Sequence, residues 1–168
     1  MKEIFCLDLN INYFMHSIKN LKPQKNSRYT QGYINPNSCK KLFESQRGEP
    51  IIFRSSLERK FMEWCERCPE VKWWGSECVQ VPYFDVRDGK NHTYNPDFFI
   101  EKVNGVRIAV EIKPYAQTQP PKYPYRDDYQ WKTYRTNQLK WDAAIKFFNE
   151  RGVKFCIITE NFFKSLSK

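Results

Sequence analysis

The feature that most constrains the fold is a continuous apolar run, VKFCIITE, at residues 153–160. A run without polar alternation is typical of a strand that is buried on both faces. The segment before it, at 133–150, reads as a helix that ends near Gly152. A helix that leads into a buried strand forms a crossover connection, which predicts that the strand at 153–160 joins an earlier strand in one mixed sheet.

Four further segments precede this crossover. A helix is predicted at 56–67, because its apolar side chains recur with helical spacing, and Pro69 ends it. Three strand-like runs follow, and they are joined by polar links that contain Asp-Gly or Asn-Gly, which are hairpin signals. These runs cover 77–84, 93–100 and 106–113. The order helix, three-stranded meander, helix and strand predicts an α/β fold with a mixed sheet.

Residues 1–50 differ from the rest of the chain. They contain several prolines and glycines and an asparagine-rich stretch, and their apolar residues show weak periodicity. We therefore predict that residues 1–50 form an N-terminal extension and irregular arm, and that residues 51–168 form the main domain. The segment 114–131 is a second irregular region, because its prolines are too frequent for regular structure.

The composition excludes several classes of protein. Hydrophobic residues make up 40% of the chain and include 13 Phe, 10 Tyr and 5 Trp, so wholesale disorder is excluded. No apolar run reaches the ~20 residues of a membrane span, and the first residues lack the cleavage site of a signal peptide. We expect a soluble protein that is made in a cytosol and has no membrane partner. Its tryptophans Trp73, Trp74 and Trp141 are expected in the core rather than on a base-stacking surface.

The charge balance favours a polyanionic partner. Lys and Arg number 28 against 19 Asp and Glu, which gives a net charge of +9, and nucleic acid is the commonest partner of such a chain. A basic surface that serves solubility is the alternative. The pair Cys65 and Cys68 forms a CxxC without a second pair or a matching set of histidines, so ordinary thiols are favoured over a zinc site.

One of four acidic-x-Lys triplets has an unusual setting. Three of them lie in a predicted helix or in polar connections, where a charged surface explains them. The fourth, Glu111-Ile112-Lys113, closes the apolar run VRIAVEIK. Because side chains alternate along a strand, Glu111 and Lys113 are predicted on one face and Ile112 on the other.

Asp97 is the second residue of interest. It belongs to the only Pro-Asp pair in the chain, it opens the run DFFI, and thirteen residues separate it from Glu111. The hairpin-like link between the two runs places their strands side by side, so we expect Asp97 and Glu111 to meet at one end of both strands. Two carboxylates that are held close repel each other unless a positive charge lies between them.

This arrangement indicates phosphodiester cleavage. Mg²⁺ typically binds one or two carboxylates together with substrate phosphate. Lys113 is then placed to orient or deprotonate a water and to balance the charge that develops on the phosphate. Taken singly, the residues have simpler interpretations: a surface ion pair for Glu111 and Lys113, and a turn for Asp97. Their spacing and their placement on strands together favour the site.

Three other residues are candidates with an open alternative. Glu58 fits a capping box with Ser55 as N-cap and Glu58 at the third helical position, and the residues alone leave a cap and a metal ligand equally open. Arg54, just before the helix, is a candidate for contact with DNA phosphate. Lys140, on the helix after the strands, is another, and a solvated helix surface explains it equally well.

Together these residues resemble the motif of the PD-(D/E)xK nuclease superfamily. In that family an acidic residue on the first core helix joins the Asp of the Pro-Asp pair and the ExK triplet. The resemblance implies a restriction-endonuclease-like core with the catalytic set Glu58, Asp97, Glu111 and Lys113. It implies metal binding by Asp97, Glu111, the backbone carbonyl of Ile112, and Glu58. Some members carry a glutamine on the strand that holds Gln80 here, which makes Gln80 a candidate DNA-binding residue.

A closer resemblance is to the head completion nucleases of T-even-like tailed phages. It is carried by the segments WGSE and VPYF, YNPDFFI, EIKP with TQPP, and the KW-x-AA helix, within residues 32–161. It implies a metal-dependent DNA endonuclease that uses Mg²⁺, with Mn²⁺ as a substitute. The enzyme would process or secure the DNA end after genome packaging and make the head competent for tail joining.

The same resemblance implies partners and locations. The partners are double-stranded DNA and the phage portal, neck or head-tail connector proteins. The locations are the host cytoplasm during assembly and the head-neck region of the virion. A structural head-closure or neck protein, which keeps the nuclease fold for binding, is the main alternative. A transposase-like or repair endonuclease would share the four site residues but would not require the WGSE, VPYF and TQPP segments.

Overall fold

A computed structural model describes residues 30–48, 50–122 and 128–166 of the chain. Residues 1–29 of the predicted N-terminal extension therefore lie outside the described residues. The strands are β1 (Gly32–Ile34), β2 (Ile51–Phe53), β3 (Val71–Ser76), β4 (Val81–Asp85), β5 (Lys90–Tyr94), β6 (Phe98–Lys102), β7 (Arg107–Ile112) and β8 (Lys154–Ile158). The helices are α1 (Ser56–Arg67), α2 (Tyr115–Thr118), α3 (Asp128–Asn149) and α4 (Glu160–Leu166).

The central sheet has four strands in the order β3-β6-β7-β8. β3, β6 and β7 are antiparallel neighbours, and β8 runs parallel to β7. The chain passes through α3 between β7 and β8, because a parallel neighbour cannot be reached through a short turn. The predicted α/β fold, with a meander, a crossover helix and a mixed sheet, is confirmed.

The first strand of the meander differs from the prediction. It is β3, at Val71–Ser76, whereas the predicted meander began with 77–84. Residues 81–85 instead form β4, which pairs with β5 in a separate two-stranded hairpin. The predicted strand 93–100 is divided between β5 and β6 at Pro96, since proline lacks the N–H that a continuous ladder requires. An extended pattern does not show which sheet a segment joins, so the sequence pattern assigned the wrong first strand.

A hydrophobic core lies on each side of the central sheet. On one side α1 packs Phe61 against Phe98, with ring centroids 4.9 Å apart. On the other side α3 packs Phe148 against Phe99, with ring centroids 6.3 Å apart. Because successive residues of a strand point to opposite faces, the first two residues of β6 supply one ring to each core.

The three tryptophans that were predicted in the core all contact it. Trp74 is fully buried in the core under α1, and Trp141 is buried in the core under α3. Trp73 is half-buried and stacks on Phe99, with ring centroids 5.8 Å apart. The prediction of a packing role for these rings is confirmed.

Residues 30–48 pack against the main domain. β1 pairs with β2, and Cys39 and Leu42 are buried in the core that also holds Phe61. Gln46 binds to the end of β3, because its side-chain amide donates to the carbonyl of Ser76 at 2.7 Å and accepts from its N–H at 2.9 Å. Residues 30–48 therefore share the core that α1 covers, and the domain boundary at residue 50 stays a prediction.

Helices α2 and α3 differ from the sequence prediction. α3 begins at Asp128, earlier than the predicted start at 133, and α2 is a single turn inside the segment that was predicted to be irregular. Among the helices of residues 30–48, 50–122 and 128–166, none has both the length and the apolar character that crossing a membrane requires.

Candidate active site

The cleft at the carboxyl end of β7 collects the side chains that the sequence singled out. Phe98 of β6 pairs with Val110 of the antiparallel strand β7. Asp97, which precedes Phe98, therefore lies beside Glu111, which follows Val110. The start of α1 and the end of β5 complete this cleft, which has a volume of about 650 Å³. Its lining includes Arg54, Glu58, Glu77, Tyr94, Asp97, Glu111, Ile112, Lys113 and Lys140.

Asp97 is held by the backbone of neighbouring segments. Its Oδ2 accepts a hydrogen bond from the N–H of Ile112 at 2.7 Å, and its carbonyl accepts from the N–H of Glu77 at 2.9 Å. Burial of the carboxyl, followed by the negative charge of Glu111, raises the pKa of Asp97 well above its usual range, despite the opposing charge of Lys113. Ionisation of the Asp97 carboxyl is therefore unfavourable in the metal-free protein.

Both carboxylate oxygens of Glu111 have protein partners. Oε1 forms an ion pair with Lys113 Nζ at 2.6 Å, and Oε2 accepts a hydrogen bond from the Tyr94 hydroxyl at 2.5 Å. The Glu111 side chain is 5% exposed and that of Lys113 is 23% exposed, so they do not form an ordinary surface ion pair. Because each carboxylate oxygen has a further lone pair, both oxygens can still bind a cation.

Lys113 carries positive charge beside the carboxylates. Burial by itself lowers the pKa of its ammonium, but the charges of Glu111 and Asp97 outweigh burial, and the pKa lies above its ordinary value. Lys113 is therefore an ammonium at neutral pH in the metal-free protein. It can donate hydrogen bonds to a water or to phosphate oxygens in the cleft.

Glu58 caps α1 and lines the cleft at the same time. Ser55 is the N-cap, and its hydroxyl accepts from the Glu58 N–H at 3.1 Å. The Glu58 carboxylate accepts from the N–H of Arg54 at 2.8 Å and from the Ser55 hydroxyl at 2.9 Å, so the predicted cap is confirmed. Burial raises the pKa of Glu58, and the charge of Glu58 in turn raises the pKa of Asp97. Glu58 therefore caps α1 and also contributes negative charge to the site.

The donor groups of the cleft fit a hard divalent cation. Mg²⁺ and Mn²⁺ prefer oxygen ligands. The cleft offers such oxygens from the side chains of Asp97, Glu111 and Glu58 and from the Ile112 carbonyl. Burial and then repulsion from Glu111 raise the pKa of Asp97, and a cation between the two carboxylates would relieve that repulsion. The carboxylate oxygens of Glu58, Asp97 and Glu111 do not all lie within 4.8 Å of one another. A cation on two of these carboxylates would therefore take its remaining ligands from water and substrate phosphate.

The structure brings two of the three candidate DNA-binding residues to the cleft. Arg54 forms an ion pair with Glu77 there, and the Lys140 ammonium lies 5.6 Å from the centroid of the Tyr94 ring. Gln80 is exposed between β3 and β4 and does not line the cleft. This placement follows from the corrected strand assignment, because the segment around Gln80 leads into the hairpin instead of the central sheet.

Two cleft residues, Tyr94 and Glu77, were missed by the sequence analysis. Tyr94 ends β5, and the alternation of its run did not show that this strand belongs to the hairpin. Glu77 follows β3 with φ 46°, in the left-handed region that is unfavourable for residues other than glycine. A glutamate after a strand carries no sequence signal for that conformation, so neither residue could have been found from the pattern.

A second group of ligand-type side chains lies on the β4–β5 hairpin. Asp85, Asp88 and His92 have ligand atoms within 4.8 Å of one another, and no other such group of three occurs in the described ranges. Hydrogen bonds from Arg87 lower the pKa of Asp85 to about 2, and Asp88 pairs with His92 at 2.8 Å. These pairs account for the group without a metal ion.

Comparison with known proteins places the chain among nucleases. Residues 68–160 match the family described as TnsA-like endonuclease N terminal. This range is more than half of the chain and includes Asp97, Glu111 and Lys113, whereas Glu58 precedes it. The chain therefore belongs to the TnsA-like endonuclease family, and its mixed α/β architecture agrees with a restriction-endonuclease-like fold.

The chain is also similar to the head completion nuclease of Enterobacteria phage T4. The two sequences are 35% identical over 139 residues, which cover 75% of this chain and 91% of the phage T4 protein. The resemblance that the sequence motifs indicated is confirmed by both comparisons.

Proposed function

We propose that this protein is a Mg²⁺-dependent endonuclease that acts on double-stranded DNA during phage head completion. The observation that carries this function is the position of Asp97, Glu111 and Lys113 at the adjoining ends of two paired strands, inside one cleft. Membership of an endonuclease family supports nuclease activity independently of that geometry.

The charge of the chain supports a DNA substrate. Its net charge is +9, and Arg54, Lys113 and Lys140 place cationic groups around the cleft. Lys and Arg side chains bind DNA largely through phosphate, with release of counterions. We assign phosphate contacts to Arg54 and Lys140, and none to Gln80, because it is exposed outside the cleft.

Two carboxylates of the set Asp97, Glu111 and Glu58, together with the Ile112 carbonyl, would hold the cation through oxygen, and water and substrate phosphate would supply its remaining ligands. A bound divalent cation polarises the phosphate and makes a water more acidic. Asp97 is already oriented by the Ile112 N–H, and Glu111 is oriented by Lys113, which reduces the cost of assembling the site. Lys113, as an ammonium, orients the attacking water and stabilises the negative charge that develops on the phosphate.

The biological setting is the completion of a filled phage head. The similarity to the T4 head completion nuclease supports this setting. In this role the enzyme processes or secures the packaged DNA end, so that the head can join its tail, and it contacts portal, neck or connector proteins. Its proposed locations are the host cytoplasm during assembly and the head-neck region of the virion.

A structural head-closure protein is the alternative, and the electrostatics of the cleft argue against it. Burial, then the charge of Glu111 and to a smaller extent that of Glu58, raises the pKa of Asp97, so ionising all three carboxyls is unfavourable in the metal-free protein. A protein that only bound its neighbours would gain nothing from this cost, whereas a cation-dependent nuclease requires the charges.

Cleavage of linear and supercoiled double-stranded DNA in Mg²⁺, in Mn²⁺ and in EDTA tests the enzymatic activity. Wild type is expected to cut with either cation and not in EDTA. Asp97→Asn should abolish cutting, whereas Asp142→Asn, at an exposed position on α3, should cut like wild type, with folding checked by circular dichroism. Cutting in EDTA or by Asp97→Asn would contradict the site. A wild type that binds DNA without cutting would favour the head-closure alternative.

The role in head completion is tested in the phage that encodes the protein. Phage with the Asp97→Asn change should accumulate filled heads without tails, and electron microscopy of lysates would count them. Mass spectrometry of purified virions should detect the wild-type protein. Normal yields of tailed, infectious particles from the mutant phage would contradict this role and leave the nuclease activity to be explained otherwise.

A further inference from the structure

Tyr94 connects the β4–β5 hairpin to the carboxylate of Glu111. Its side chain is buried, and its hydroxyl donates to Glu111 Oε2 at 2.5 Å. A buried tyrosine hydroxyl normally finds a hydrogen-bond partner, and here the partner is a carboxylate that is itself almost completely buried. The hydroxyl therefore acts directly on a group of the candidate active site.

The ring of Tyr94 is anchored by its surroundings. Tyr94 pairs with Val81 across the hairpin, and both are buried in the core between the sheet and α3. On the cleft side, the Lys140 ammonium lies 5.6 Å from the ring centroid, within the range of a cation–π contact. Backbone pairing and core packing restrict the position of the Tyr94 hydroxyl, so this donor stays within hydrogen-bond distance of Glu111 Oε2.

Lys113 takes the other oxygen of Glu111. Its Nζ lies 2.6 Å from Oε1, and it approaches from the end of β7, whereas Tyr94 approaches from the hairpin. Two donors on different elements define the plane of the carboxylate and still leave a lone pair on each oxygen. Hydrogen-bond partners of a ligating carboxylate orient it, and their loss typically lowers metal affinity about 10–100-fold.

We propose that Tyr94 is a positioning residue, whose hydroxyl orients Glu111 for binding a divalent cation. This role rests on the proposed function and deepens it, because it extends the site from the central sheet to the hairpin. The hairpin then supports a metal ligand through Tyr94, in addition to packing on α3.

Isothermal titration of the metal-free protein with Mn²⁺ tests this role directly. Tyr94→Phe removes the hydroxyl and keeps the ring. Tyr83→Phe is the matched control, because Tyr83 lies on the same hairpin, stacks on His92 with ring centroids 5.4 Å apart, and does not line the cleft. The Kd for Mn²⁺ is expected to rise about 10–100-fold in Tyr94→Phe and to stay at the wild-type value in Tyr83→Phe.

DNA cleavage provides a second readout. In Tyr94→Phe the Mg²⁺ concentration for half-maximal cleavage is expected to rise about 10–100-fold. The value of kcat at saturating Mg²⁺ should stay near that of wild type, because Asp97 and Lys113 are unchanged. A merely structural role would lower the melting temperature without changing the Mg²⁺ dependence. If Tyr94→Phe is less stable than wild type, its melting temperature is measured with and without Mn²⁺. The increase that Mn²⁺ causes should be smaller in Tyr94→Phe than in wild type.

The outcomes separate this inference from the proposed function. Equal Mn²⁺ affinity and equal Mg²⁺ dependence in wild type and Tyr94→Phe would overturn the role of Tyr94 and leave the proposed nuclease intact. Absence of Mn²⁺ and Mg²⁺ binding by wild type, in the presence and absence of DNA, would overturn the metal-dependent function and with it the role of Tyr94.

Discussion

The Asp97 carboxylate accepts the backbone N–H of Ile112 at 2.7 Å, which joins the residue before β6 to the last residue of β7. The backbone pairing of β6 with β7 ends at Phe98 and Val110, and this side-chain hydrogen bond connects the two chain segments just beyond it, next to Glu111 in the cleft. The hydrogen bond holds in place a carboxyl group whose pKa is raised well above its usual range by burial and by Glu111.

Asp97→Asn is expected to stabilise the metal-free protein at neutral pH. Burial and then Glu111 raise the folded-state pKa of Asp97 above its unfolded value of about 3.9. Such a group contributes stability below about pH 4 and loses it as the pH rises through the folded-state pKa. Asparagine does not ionise, and it keeps an oxygen for the Ile112 N–H, so it avoids that loss.

Melting temperatures in EDTA at pH 5 and pH 8 check this stabilisation. The gain from Asp97→Asn should be larger at pH 8, where wild type has lost more of the contribution of Asp97. Asp142→Asn, on the exposed side of α3, should show no such pH-dependent gain. An Asp97→Asn protein that melts below wild type at pH 8 would contradict the raised pKa.

Glu58→Gln separates the capping role from the proposed metal role. Glutamine keeps an oxygen for the Arg54 N–H and avoids the ionisation that burial disfavours, so the free energy of unfolding at neutral pH should not decrease. Loss of the charge should raise the Mg²⁺ concentration for half-maximal cleavage at least about tenfold. Glu63→Gln on the same helix, whose partner Arg59 is exposed, is the control. An unchanged Mg²⁺ dependence would leave Glu58 as a cap only.

Lys113→Ala is expected to lower kcat about 10²–10³-fold, because a positioned charge in the cleft is lost. DNA affinity should change little, since the Lys113 ammonium is already paired with Glu111 in the cleft. Single-turnover cleavage and fluorescence anisotropy measure the two effects, with Lys146→Ala at an exposed position of α3 as control. Cleavage by Lys113→Ala within threefold of wild type would remove Lys113 from the mechanism.

Lys140→Gln is expected to weaken DNA binding and to reduce the slope of log K against log salt by about 1. Binding is measured over a series of salt concentrations with the Asp97→Asn protein, so that cleavage does not interfere. Lys146→Gln controls for general loss of charge on α3. Gln80→Ala should leave affinity unchanged because Gln80 lies outside the cleft, and a marked loss of affinity would restore it as a DNA contact.

Local signals explain how much of the site was predictable. The cap at Ser55 and Glu58 depends on residues three apart in the sequence, and it forms as predicted. The proximity of Asp97 to Glu111 follows from a short link between two strands, which constrains their register. Alternation along β7 placed Glu111 and Lys113 on one face, and they form an ion pair there.

The sequence by itself therefore determined the mixed α/β architecture, the start of α1 and the meeting of Asp97 with Glu111, because periodicity, capping and short connections act over a few residues. Only the tertiary structure decided that β3 begins the meander, that Gln80 lies outside the cleft and that Tyr94 contacts Glu111. The physical reason is that strand partners are chosen by packing between distant segments, here by the cores under α1 and α3, which no local pattern encodes.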